Sequence, residues 1–252
     1  MTTARFDLTG KVALITGGSR GLGRAMTLGF AEAGADVAIA SRKIDACEAT
    51  AEEVRRLGRQ ASAHACHVGN WSDLDRLVDD VYARFGRIDI LVNNAGLSPV
   101  AASSLETSED LFDKVFAVNL KGPFRLTALV AARMAAGGGG SVINISSTGS
   151  IRPSPDIAPY AAAKAGLNTI TVAMAHEFGP TVRVNCIMAG PFHTDISKAW
   201  SRSEGFTQHA RRAFALGRAG EPDEIVGAAI YLASDAASFT SGAILRVDGG
   251  LP

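Results

Sequence analysis

Neither charge is in excess in this 252-residue sequence: 25 Lys and Arg stand against 25 Asp and Glu. No broad attraction to nucleic acid is expected from such a balance. Cysteine is scarce as well. Cys47, Cys66 and Cys186 are odd in number and lack the spacing of metal ligands, so buried free thiols are expected, with neither a disulfide nor a metal site. That usage suits a reducing cytoplasm. No apolar run reaches the roughly 18 residues of a membrane span, and residues 1–11 hold no apolar stretch flanked by basic residues. A chain that is neither exported nor inserted in a membrane is expected. No Pro/Ser-rich linker or charge block interrupts it, and its length allows a large core, so one domain over residues 1–252 is expected.

What is present is alternation. Residues 11–16 form a nearly continuous apolar run bounded by glycines, as expected of a strand buried on both faces of a parallel sheet. Similar runs recur at 36–40, 88–92, 141–146, 182–187 and 243–247, with 60–68 a weaker candidate. Helix-like stretches separate them, among them 45–57 and 72–85, the latter with Ser72 as N-cap ahead of Asp73 and Asp75. The pattern predicts an α/β fold, a doubly wound, seven-stranded parallel sheet with helices on both faces. A longer helical stretch, 108–136, contains Gly122-Pro123. A kink is expected there, beside Asn119, because proline has no N–H to donate. Pro159 suits the first turn of a helix that runs to Phe178 and stops at Gly179-Pro180. Four glycines at 137–140 read as a flexible turn. From 192 to 217 the pattern loosens around Trp200, Phe206 and Phe214, and a substrate lid is expected.

Between the first strand and the first helix stands Gly17-Gly18-Ser19-Arg20-Gly21-Leu22-Gly23. Gly17, Gly21 and Gly23 permit a tight turn and a close pass of backbone under a pyrophosphate at a helix N-terminus. A glycine-rich turn alone is weak evidence; its place between strand and helix makes it a nucleotide signal. The second strand runs into Ser41-Arg42-Lys43 with no carboxylate to accept from a ribose 2′-hydroxyl, and Arg20 projects toward the same region. Cations favour a 2′-phosphate, so NADP(H) is expected over NAD(H).

Proton chemistry is written further along. Tyr160 has Lys164 four residues on, one helical turn away, and Ser147 thirteen residues before it. A phenol titrates near pH 10, so working as a base near pH 7 requires about 4 kcal/mol of differential stabilisation. Lys164 and an oxidised nicotinamide can together provide it. Ser147 can hydrogen-bond a substrate carbonyl while Tyr160 gives it a proton. Ser146 is the nearest competitor of Ser147. Alone, each residue reads as an ordinary cap, strand end or surface pair; it is their joint occurrence that points to a site.

These motifs together, Thr16-Gly17-x3-Gly21-x-Gly23, Asn93-Asn94-Ala95-Gly96, Asn119, Ser147, Tyr160-x3-Lys164 and Val247-Asp248-Gly249-Gly250, make the whole chain resemble the single-domain short-chain dehydrogenases/reductases. The resemblance implies a Rossmann-like fold and an oxidoreductase that interconverts a carbonyl compound and its alcohol. Asn119, Ser147, Tyr160 and Lys164 would be the catalytic set, with Asn119 holding a relay water and Lys164 also a ribose ligand. It implies a nucleotide site that takes in Ser19, Leu22, Ser41, His67, Val68, Asn94, Ala95 and Gly96, with Ile187, Gly190 and Thr194 at the nicotinamide end. Two positions depart from the family's pattern. His67 stands where an aspartate usually reads the adenine amino group, and Ala189-Gly190 replaces Pro-Gly.

By position, Leu97, Ser98, residues 150–152, Ile157, Phe192, His193 and Trp200 would line a pocket for a small or medium carbonyl or alcohol substrate. Glycines at 137–140 and Gly179-Pro180-Thr181 stand where acyl-carrier-protein reductases of the family tend to carry basic residues. A catalytically silent NADP(H)-binding regulator is the alternative of another class. A sugar-nucleotide epimerase would need a larger C-terminal substrate domain. The helices at 108–136 and 159–178 are richer in alanine and apolar residues than one sheet contact requires. In the resembling family they form a dimer interface, so a homo-oligomer, dimer or tetramer, is expected.

Overall fold

The computed structural model describes residues 3–198 and 200–252. Positions 1 and 2 of the N-terminal stretch and position 199 of the expected lid lie outside the described residues. Seven strands, β1 Val12–Thr16, β2 Asp36–Ser41, β3 Ala61–Ala65, β4 Ile90–Asn93, β5 Gly140–Ser147, β6 Val182–Ala189 and β7 Ile244–Val247, form one sheet in the order β3-β2-β1-β4-β5-β6-β7. Every pairing is parallel. The α-helices of the described residues are α1 Gly21–Glu32, α2 Ile44–Arg56, α3 Trp71–Phe85, α4 Glu109–Phe116, α5 Gly122–Ala136, α6 Ala158–Phe178, α7 Glu204–Ala213 and α8 Val226–Ala233.

The period of two along each strand divides its side chains between two cores. Ala13 and Ile15, Val37 and Ile39, and Ile143 and Ile145 join α1, α2 and α8 on one face. Leu14, Ala38 and Val142 join α3, α5 and α6 on the other. Double burial is why these strands read as unbroken apolar runs. β3 is the exception and the weak sequence signal: it is an edge strand whose middle residues are half-exposed.

Three local expectations change. α3 begins at Trp71, with Asn70 and not Ser72 as its N-cap; the Asn70 backbone N–H is held by the His67 carbonyl at 2.8 Å and its side-chain amide by Asp73 at 3.1 Å. The disturbance expected at Gly122-Pro123 lies one turn earlier, as a π-helical turn over Ala117–Lys121 in which Gly122 N–H bonds the Ala117 carbonyl. Pro123 is its cause at a distance, having no N–H for the carbonyl four residues back, that of Asn119. The stretch Glu109–Ala136 is, by length and a mean hydropathy of 1.2, also apolar enough to cross a membrane, but half of its most apolar window is buried in this fold, as in a core helix. Cys47, Cys66 and Cys186 are free and buried, as expected.

Candidate active site

In a sheet of this order the chain reverses direction between β1 and β4, and the crevice outside the carboxyl ends of those strands is where ligands bind. A cleft of about 990 Å3 lies there, at the upper end of the roughly 300–1,000 Å3 usual for ligand sites. It is lined by Gly17, Ser19, Arg20, Gly21, Leu22, Gly23, Ser41, Arg42, His67, Val68, Asn94, Ala95, Gly96, Tyr160, Lys164, Gly190 and Thr194, the predicted nucleotide set apart from Ile187, together with Ser147.

The glycine turn is built by exclusion. Gly17 has φ +65°, and a Cβ there would lie 2.8 Å from Asn94 Nδ2; at Gly23 it would lie 2.1 Å from the Gly17 carbonyl oxygen. Asn94 staples the turn to β4 by donating from Nδ2 to the Thr16 carbonyl at 2.9 Å, while Thr16 Oγ1 accepts the N–H groups of Asn94 and Ala95 at 3.1 Å each. Thr16 heads the glycine motif in the sequence, but its hydroxyl has no role of its own there; the structure makes it the acceptor that ties β4 to the turn. α1 has no side-chain cap at its N-cap residue, Arg20, and no acidic residue in its first turn. Its first-turn N–H groups therefore open onto the cleft with their positive end bare, which suits a pyrophosphate.

At the far side Ser19 Oγ donates to Ser41 Oγ at 3.0 Å. Arg42 and Lys43 are exposed on the cleft, and neither has an ion-pair partner among the described residues. Arg20 has a different neighbour from the one expected: its guanidinium lies 4.0 Å from the Asp195 carboxylate, across the cleft mouth.

At the reacting end α6 presents Tyr160 and Lys164 on one face, and β5 delivers Ser147 beside them. Ser147 Oγ accepts the Gly149 N–H at 3.1 Å, and its own O–H is directed at the Tyr160 phenol. Ser146 Oγ is tied to the Lys164 carbonyl at 3.2 Å. The Ser147 carbonyl accepts from Ser150 Oγ at 2.6 Å, and Ser150 Oγ in turn accepts from Asn168 Nδ2 at 2.9 Å, so α6 also clamps the loop after β5. Asn168 carries no motif, and sequence reasoning missed it. Burial pushes the Tyr160 phenol above its ordinary range, against an opposing hydrogen bond from Ser147. Lys164 is 3% exposed, and desolvation brings its ammonium down to about 8. Of its three N–H donors one reaches the Ile145 carbonyl at 2.7 Å, its single hydrogen bond among the described residues, and the others are left for hydroxyls such as those of a ribose. These uncapped and unpartnered donors fit a nicotinamide dinucleotide.

Some predicted residues stand elsewhere. Asn119 is fully buried and does not line the cleft. Its Nδ2 donates to the carbonyls of Leu97 at 2.8 Å and Val115 at 2.9 Å, and its Oδ1 accepts the Leu97 N–H at 3.3 Å, so its side chain shores up the cleft wall. Ile187 is buried in the core. His193 turns away from the cleft to Ser201 Oγ at 3.1 Å, whereas Leu97, Ser98, Arg152, Ile157, Phe192 and Trp200 line it. Of the expected lid, residues of 192–200 reach the cleft and α7 does not; Trp200, Phe206 and Phe214 pack edge to face at 5.0 and 5.9 Å.

The model of a family described as enoyl-(acyl carrier protein) reductase matches residues 17–252. Human dehydrogenase/reductase SDR family member 4 is 34% identical over 251 residues, 99% of this chain and 90% of that one. The chain belongs to the short-chain dehydrogenase/reductase family. Membership makes it an oxidoreductase, of the kind that acts on CH–OH groups. Among solved structures, a gluconate 5-dehydrogenase from Burkholderia cenocepacia in complex with NADP and tartrate superposes with a TM-score of 0.93 at 38% identity, covering 100% of this chain and 98% of that one. A 7α-hydroxysteroid dehydrogenase complexed with NADH and 7-oxo glycochenodeoxycholic acid does so with 0.95 at 33%, covering 100% and 98%. Family members thus hold NADP in one case and NADH in another.

Proposed function

We propose that this chain is an NADP(H)-dependent oxidoreductase of carbonyl compounds and alcohols in which Tyr160 moves the proton. The observation that carries this reading is the convergence of Ser147, Tyr160 and Lys164 on the cleft that also receives the uncapped N-terminus of α1. When bound, the nicotinamide supplies or accepts the hydride at the reacting carbon. Ser147 turns its O–H from the phenol to the carbonyl oxygen, and Tyr160 transfers its phenolic proton to that oxygen as it becomes an alcohol; in the reverse direction Tyr160 removes the proton. A phenol raised by burial is held protonated, ready for reduction. Lys164, with Nζ 5.8 Å from the centre of the Tyr160 ring, lowers the cost of the phenolate and binds ribose hydroxyls. The Asn119 carbonyl, released by Pro123, is the acceptor for a relay water. Arg42 and Lys43, without ion-pair partners among the described residues, support the 2′-phosphate form of the cofactor.

The substrate half of the cleft supports a polyhydroxylated compound carrying a carboxylate. Arg152 lines it without an ion-pair partner among the described residues, and a guanidinium is suited to grip a carboxylate with two parallel bonds. Relatives named for gluconate and threitol agree with that chemistry. Residues 192–198 and Trp200 act as the inner edge of a lid. A second groove, about 890 Å3 between α4, α5 and α6, with Phe124 on its wall and 44% exposed, supports pairing of two copies through this face.

The test is consumption of NADPH and NADH across keto-acids, ketoses, steroids and simple ketones, with Tyr160→Phe as control. Turnover with NADPH that disappears in the control is expected. Cofactor binding without turnover on any carbonyl would instead mark a silent regulator.

A further inference from the structure

The purine end of the cleft is assembled from the carboxyl ends of β2 and β3, where Ser41, Arg42, Cys66, His67 and Val68 line it. A carboxylate there would accept from the 6-amino group of adenine, and none is present among the described residues. Asp73, the nearest in sequence to His67 and Val68, does not line the cleft, and neither does Asp45 beyond Arg42; the two Asp73 oxygens are taken by Asn70 at 3.1 Å and Arg76 at 2.9 Å. The cleft's own aspartates are placed elsewhere, Asp195 facing Arg20 across the mouth and Asp156 on the segment before α6. The His67 carbonyl is occupied by the Asn70 N–H at 2.8 Å. The Cys66 thiol is directed at the Asp73 carbonyl.

The Ser41 hydroxyl is engaged by Ser19 Oγ and Cys47 Sγ at 3.0 Å each, which leaves the His67 ring, and its hydrogen bonding fixes what it can offer. The Gly69 backbone N–H donates to Nδ1 at 3.2 Å. A ring nitrogen that accepts carries no proton, so the imidazole holds its proton on Nε2, and Nε2 can only donate. Adenine presents a donor at its 6-position; a 6-oxo purine presents an acceptor. A histidine committed in this way gains nothing from the amino group.

We infer that this site binds the purine of its dinucleotide without selecting for the 6-amino group, and that His67, fixed as a donor by Gly69, is the residue that relaxes the selection. The inference rests on the dinucleotide reading given above and extends it to the base. Hypoxanthine dinucleotides, with an oxygen where adenine has the amino group, are therefore ligands of comparable strength.

Dissociation constants decide it, with no substrate and no turnover. NADPH, NADH and their 6-deaminated counterparts are titrated into the protein and followed by quenching of tryptophan fluorescence and by calorimetry. Each deaminated form is expected to bind within about threefold of its parent, because no acceptor for the amino group is lost. His67→Asp restores an acceptor and is expected to shift the ratio about tenfold or more in favour of adenine. His67→Ala, which removes the donor and adds no acceptor, keeps the ratio near one and provides a check should the Asp variant fold poorly. A preference of tenfold or more for the adenine forms in the unaltered protein overturns the inference. Failure of every dinucleotide to bind would overturn the nucleotide reading itself, a separate and recognisable result.

Discussion

Lys164 Nζ donates to the main-chain carbonyl of Ile145 at 2.7 Å, from a side chain only 3% exposed. The bond turns one ammonium hydrogen toward β5, and a single neutral carbonyl does not repay the hydration lost by the charge, which is why the lysine falls from 10.5 to about 8. Below pH 8 both folded and unfolded chains hold the proton, and the folded state carries the full cost, about 3 kcal/mol. Between about 8 and 10.5 the unfolded chain binds more protons, so this group's contribution to stability rises with pH. Lys164→Met is therefore expected to be more stable than the parent at pH 7 by about 1–3 kcal/mol, with the gap narrowing by pH 10. Urea unfolding at the two pH values measures it; a variant less stable at pH 7 would mean that the charge is compensated.

Tyr160→Phe keeps the ring and removes the proton. Turnover is expected to fall by about 10²–10⁴-fold, while the dissociation constant for NADPH changes little. In the parent enzyme, reduction needs the phenol and should decline as pH rises through the Tyr160 titration, while oxidation needs the phenolate and should rise. Parallel pH profiles in both directions would remove Tyr160 from the acid/base role.

At the other end of the cleft, Arg42→Ala is expected to weaken NADPH by about 10–100-fold, the value of a charge-assisted contact, and to leave NADH within a few-fold. Equal losses for both nucleotides would place the 2′-phosphate elsewhere.

Phe124 is 44% exposed on the groove between α4, α5 and α6. Phe124→Asp is expected to convert a dimer or tetramer to smaller species in light scattering at micromolar concentration. A monomeric parent protein would dispose of the assembly proposal before any variant was made.

Much of this architecture could be read from runs such as Val12–Thr16 and Val182–Ala189, because strands buried on both faces have no polar face to obscure them. The nucleotide turn was legible for a different reason: Gly17 and Gly23 are demanded by close backbone approach, which only one residue type allows. Harder to read were effects whose cause and location are separated in the chain. Pro123 was visible, but its consequence falls at Ala117–Lys121, since the missing donor belongs to a carbonyl one turn back. Asn168 was invisible because its value lies in partners eighteen residues away on either side, Ser150 and Cys186. His193, a polar residue in a loosely patterned stretch, suggested the pocket, yet the local bond to Ser201 decided its direction.

The pairing of β1 with β4 that opens the cleft has a kinetic side. It is sealed by the Val12 N–H on the buried Asp89 carboxylate, across 77 residues of chain, so the strand that carries the glycine turn gains its second neighbour only after β2, β3 and α3 have been passed. Long-range parallel pairings of this kind form late, because a large loop must close before any contact rewards it. During synthesis β4 has no partner on its other side until β5 emerges, and it stands as a bare edge open to wrong pairing. The same crossing that makes room for a ligand is thus expected to set the pace of refolding and to mark where aggregation begins when refolding fails.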